Sequence, residues 1–135
     1  MRKLVAIALL ALIWAGPAIA GNRWYTRPHG TGSTCTVGSP CALATANGKA
    51  APGDTVSLAD STYTTDPQPN VDGTASLPIL YMGNITNKNA TVFNKNIQLN
   101  NSNGTSIRRS YVIWQDFRIE GIAPDGGLWI DNKVS

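Results

Sequence analysis

Apolar residues in this chain come in short runs, separated by turns dense in Asn, Gly, Thr and Ser. The clearest run is "DTVSLAD" at 54–60, where Val56 and Leu58 alternate with Thr55 and Ser57 as a half-buried strand requires. "LPILYM" (77–82), "ATVF" (90–93), "IQL" (97–99), "YVIW" (111–114), "FRIEG" (117–121) and "GLWI" (127–130) read as further short strands. Trp24 and Tyr25 offer a first strand, followed by a Gly/Pro/Thr-rich loop. One stretch is helical: Pro40 can begin a helix, Ala42, Leu43, Ala44 and Ala46 favour one, and Gly48 and Pro52 stop it. No segment after Pro52 has a helical period.

The strand at 54–58 has no hairpin partner, because "TTDPQPNVDGTAS" follows it and is poor strand material. An antiparallel sandwich would show two-residue hairpin dipeptides and longer alternating strands. A solenoid of parallel strands needs neither. Leu58 and Leu80 lie 22 residues apart, near the low end of solenoid periods. The pattern therefore predicts 78–82 as the parallel partner of 54–58. Asparagines at equivalent turns would stack their amides along such a coil.

The leader changes the charge balance. "MRKLVAIALLALIWAGPAIA" places Arg2 and Lys3 before an apolar run and ends in Ala18-Ile19-Ala20, the pattern of a cleaved secretory signal peptide at 1–20. Its apolar run is too short to span a bilayer, and no other segment would cross one after cleavage. The chain carries 11 Lys and Arg against 8 Asp and Glu, and losing Arg2 and Lys3 leaves it nearly neutral. No basic stripe remains for nucleic acid, and the pair Arg108-Arg109 reads as a solvated loop. The expected location is secreted, periplasmic or cell-surface. In that compartment Cys35 and Cys41, the only cysteines, are expected to form a local disulfide; a metal pair lacks further ligands, since His29 is the sole histidine.

"GTGSTCTVGSPCALATANGKAAPGDTVSLADSTYTT" resembles the N-terminal entry of the pectin-lyase-like superfamily of right-handed parallel β-helices. Cys35, Ser39-Pro40-Cys41, the Ala-rich helix, Pro52-Gly53-Asp54-Thr55-Val56 and Thr62-Tyr63 carry the resemblance, and "SYVIWQDFRIEG" and "GLWIDN" are similar to later coils. It implies an all-β solenoid: a cap at 21–51 with the disulfide and a short capping α-helix, then the first coils at 52–135. Asp60-Ser61 stands where the family commonly has Gly before "TY", which predicts a shifted turn. Because the sequence stops just after a strand with no capping repeat, the chain reads as a piece of a longer protein.

The resemblance implies a protein that acts on or binds polysaccharide, with a pectate-lyase-like lyase or a hydrolase as the enzymatic version. A non-enzymatic, adhesin-like surface module is the alternative, since one scaffold hosts several functions. Asp116, Arg118 and Glu120 alternate, so a strand would project all three from one face. Polysaccharide lyases of the superfamily place calcium ligands and a base arginine on such a row. That makes the three the catalytic candidates and Asp116 and Glu120 the calcium candidates; the plainer reading, a solvated salt-bridged face, is preferred. Asp125 and Asp131 could add calcium oxygens but sit where turns favour Asp anyway. His29 reads as a surface or cap contact, and Trp114 and Trp129 as coil stacking more than sugar platforms. Asn84, Asn89, Asn100 and Asn103 match the Asn-x-Ser/Thr glycosylation pattern, for which glycan sites in a eukaryotic secretory pathway and accidents of an Asn/Thr-rich turn composition are the two readings, the second preferred.

Overall fold

Alternation sets the local structure, and the partners of each strand set the architecture. A computed structural model describes residues 21–94, 97–98, 109–120 and 128–129. The leader at 1–20, Arg108, Asp125, Asp131 and the Asn100 and Asn103 sites lie outside those residues.

The strands are β1 (Arg23–Thr26), β2 (Thr31–Thr36), β3 (Ser39–Cys41), β4 (Thr55–Leu58), β5 (Thr62–Tyr63), β6 (Ile79–Met82), β7 (Val92–Phe93), β8 (Ile97–Gln98), β9 (Val112–Gln115), β10 (Arg118–Ile119) and β11 (Leu128–Trp129); the helix α1 (Leu43–Lys49) follows β3. β4 pairs in parallel with β6, with Val56 opposite Tyr81, so the strand at 54–58 meets the partner its sequence predicts. β1 lies parallel on the other side of β4, and β9 parallel beyond β6. β5, β7 and β10 form a second, parallel sheet, and β8 pairs with β11.

The fold class expected from the sequence is corrected here. The described residues form a small mixed α/β fold, with one mixed sheet of six strands in the order β2-β3-β1-β4-β6-β9 and a second sheet of three parallel strands. They form no solenoid, and no right-handed parallel β-helix. The physical reason lies at 31–41, read from sequence as a loop. This stretch folds back on itself as the antiparallel hairpin β2–β3, and β3 then joins β1 in parallel at Thr26 and Cys41. The hairpin thus becomes part of the main sheet and makes it mixed. The helix packs against β1 and β2, so it belongs to the same core, where Leu43 and Ala46 are buried.

One face of the main sheet supplies that core. Register aligns Trp24, Val56, Tyr81 and Trp114 in one row across four strands. Val56, Ile79 and Tyr81 are fully buried, while Trp24 and Trp114 are half-buried against them. The second sheet contributes Tyr63 stacked on Phe93 at 5.3 Å, with Phe117 edge-on to Phe93 at 4.9 Å. Each fully buried large apolar side chain contributes about 1.5–3 kcal/mol relative to exposure.

The "PGD" turn is held by one buried carboxylate. Asp54 accepts the Asn22 N–H at 2.7 Å, the Trp24 indole N–H at 2.8 Å and the Ala51 N–H at 3.0 Å. Gly53 precedes it with φ +89°, a conformation that favours glycine. The turn before β5 is simpler than its sequence suggested, for neither Asp60 nor Ser61 has positive φ.

Candidate functional site

Two prolines shape the cleft that carries the most chemistry. Pro67 and Pro69, both fully buried, stiffen the loop after β5; proline fixes φ and contributes only a carbonyl to hydrogen bonding. The carbonyls of Asp66, Pro67 and Pro69 find donors from three parts of the chain. Asn47 of α1 donates from Nδ2 to the Asp66 carbonyl at 2.8 Å. Trp114 of β9 donates its indole N–H to the Pro67 carbonyl at 2.8 Å. Arg109 donates from Nε to the Pro69 carbonyl at 2.9 Å. The Asn70 N–H closes the loop onto the Asn47 carbonyl at 3.1 Å.

The result is a cleft of about 200 Å³ lined by Asn47, Thr65, Asp66, Gln68, Asn70 and Arg109, with Pro69 at its wall. Its lining combines a carboxylate, a guanidinium and three carboxamides, so strong donors and strong acceptors converge on one small volume. Asn47 is fixed from behind, because the buried Tyr81 hydroxyl donates to its Oδ1 at 2.8 Å. Burial drives the Tyr81 phenol well above its usual range. The neutral hydroxyl is thereby kept as a donor.

A second cleft of about 170 Å³ lies beside the first and shares Thr65 with it. Pro28, Ala42, Leu43 and Tyr63 supply apolar surface, and His29, Thr62, Thr64 and Thr65 supply imidazole and hydroxyl groups. His29 is an exposed turn residue with φ +56°. Tyr63 donates to the Thr26 carbonyl at 3.0 Å and accepts from the Ala59 N–H at 2.9 Å. Burial, the largest influence on it, raises the Tyr63 phenol above its ordinary range.

The catalytic and calcium candidates read from sequence lie elsewhere. Asp116 is not on a strand: it occupies the turn between β9 and β10 at φ +60°, and its carboxylate meets Lys88 Nζ at 3.2 Å. Arg118 and Glu120 are exposed and pair with each other at 2.6 Å. The row divides into two separate ion pairs. Each carboxylate already faces a cation, a poor start toward the six to eight oxygens that calcium takes. Among the described residues no group of three or more His, Cys, Asp or Glu side chains is placed to hold a metal.

The expected disulfide is present between Cys35 and Cys41, both fully buried. Among the described residues no helix is long and apolar enough to cross a membrane. Trp114 packs against the core and anchors the proline loop; nothing is described of the Trp129 side chain. Sequence reasoning passed over Asn47, Asp66, Gln68 and Asn70, and read Arg109 as part of a solvated loop where it in fact bonds the Pro69 carbonyl. The signal available was an asparagine inside an Ala-rich helix, where it weakens the helix unless its side chain serves another segment. Comparison with protein-family models, curated proteins and solved structures gave no match to this chain.

Proposed function

We propose that this chain is a secreted module that binds polysaccharide, with one sugar unit held in the cleft between α1 and the 65–70 loop. The lining of that cleft carries the reading. Vicinal hydroxyls each donate and accept, and Asn70 and Arg109 bring carboxamide and guanidinium groups to a lining shared with Asp66 and Gln68, while Asn47, bonded to Tyr81 and to the Asp66 carbonyl, fixes the wall. The wall is stiffened by Pro67 and Pro69 and pinned by Asn47, Trp114 and Arg109, so little ordering cost falls on binding. A disulfide and a leader at 1–20 with signal-peptide pattern support an extracellular setting, where polysaccharides are abundant.

The test is calorimetry of the folded chain against soluble neutral and acidic polysaccharides. Binding at millimolar strength or better is expected for at least one. Asn70→Ala should weaken it about tenfold, as loss of one polar contact does in a desolvated site. Asn70 holds the loop through its backbone N–H, so its substitution should leave the melting temperature in place. Failure of every polysaccharide to bind would leave the non-enzymatic surface module as the surviving description.

A further inference from the structure

We propose that the second cleft is a second sugar subsite, and that the two clefts form one groove for two successive units of a polysaccharide, the unit in the second cleft being uncharged. This rests on the binding role proposed above for the first cleft.

Three observations carry it. The clefts adjoin at Thr65, and the chain from Thr62 to Asn70 borders both. The helix α1 walls both as well, with Leu43 in the second cleft and Asn47 in the first. Residues four apart share a helix face and are displaced along it by about 6 Å, the scale of one sugar ring. Each cleft alone falls below the ~300 Å³ at which ordinary ligand pockets begin. Joined, volumes of about 200 and 170 Å³ reach that range.

The two linings also differ in a way that suits a sugar chain. The first contains Asp66 and Arg109, whereas the second is lined by no Asp, Glu, Lys or Arg. The Tyr63 hydroxyl is already bonded to Thr26 and Ala59. Pro28 and Ala42, partly exposed and backed by the buried Leu43 and Tyr63, give a small apolar wall for the C–H face of a pyranose. Thr62, Thr64, Thr65 and His29 face it with hydroxyl and imidazole groups that can bond the ring hydroxyls. A carboxylate placed there would be desolvated with no cation among the lining residues, which penalises a uronate.

Calorimetry with glucose, cellobiose, galacturonic acid and digalacturonic acid tests this directly. Cellobiose should bind at least tenfold tighter than glucose, and digalacturonic acid should gain less than threefold over its monomer. Thr64→Phe, which fills the second cleft from an exposed position, should reduce cellobiose to the affinity that the same variant has for glucose. In amide NMR spectra, cellobiose should shift His29 and Thr64 together with Asn70, and Thr64→Phe should remove the shift at His29 and keep that at Asn70. Equal affinities for cellobiose and glucose, or indifference of cellobiose to Thr64→Phe, would overturn the two-subsite groove while the first cleft stands. If none of the four binds, or if Asn70→Ala changes nothing, the first cleft fails and the groove with it.

Discussion

Asn47 occupies a helix position that alanine would suit better, yet it is where three segments meet. It accepts from the buried Tyr81 hydroxyl, donates to the Asp66 carbonyl and offers its own carbonyl to Asn70. Asn47→Ala improves helix propensity by a few tenths of a kcal/mol and strands the Tyr81 hydroxyl in the core, which costs about 1–3 kcal/mol. Net destabilisation in urea titrations is the expected outcome. Adding Tyr81→Phe should return part of that loss, because the orphaned hydroxyl goes with it; full additivity of the two losses would disprove the coupling. Gly83 is a second position set by a single contact. A Cβ there would collide with the Asp116 carbonyl oxygen, a backbone atom in a turn already at positive φ. Gly83→Ala should therefore cost about 1–3 kcal/mol by forcing β6 and the β9–β10 turn apart. A melting temperature equal to wild type would show that the turn yields freely.

At the scale of elements, the hairpin β2–β3 decides the sheet, and the disulfide decides the hairpin. Its strands carry few large apolar residues, so cross-strand packing alone offers little. Closing so short a loop contributes about 2–3 kcal/mol in the chain-entropy model. The double substitution Cys35→Ser with Cys41→Ser should lose that much in chemical denaturation, and reductant should have no further effect on it. Cys35 has φ +56°, so Cys35→Gly with Cys41→Ser should lose measurably less than the serine pair. The same hairpin marks where sequence stops being legible. Alternation located β4, short apolar runs located β6, β7 and β9, alanine-rich composition located α1, and the Leu58–Leu80 spacing found the β4–β6 pairing. These signals missed β2 and β3, whose "TGSTCTVGSPC" has no apolar period and takes its order from the disulfide and from β1. The class inferred from the remaining strands was wrong for that reason. Asp116, Arg118 and Glu120 do not share one strand face, because the positive φ of Asp116 places it in the turn before β10. The cleft was hidden because its residues come from a helix, a proline loop and Arg109, brought together by carbonyl contacts that no local pattern encodes.

Across the whole molecule, two buried phenols tie both sheets to the same condition of pH. Tyr81 lies in the main sheet and Tyr63 in the second, and burial raises both above the ordinary phenol value of about 10. In the unfolded chain these groups ionise from about pH 10, whereas the fold holds them neutral. The stabilisation is therefore complete below about pH 10, and is lost as pH rises from there toward the folded values. Thermal melts between pH 8 and 11.5 should show a melting temperature that is flat with respect to these groups at the lower end and falls above about pH 10. Tyrosinate absorbance should report ionisation of the two phenols at the unfolding transition, not before it. Tyr63→Phe removes one of them at the cost of the bonds to Thr26 and Ala59, so it should melt lower at pH 8 and lose less between pH 10 and 11.5. If Tyr63→Phe keeps the full alkaline slope of the wild type, ionisation of that phenol is not coupled to folding, and the second sheet does not share the pH response of the first.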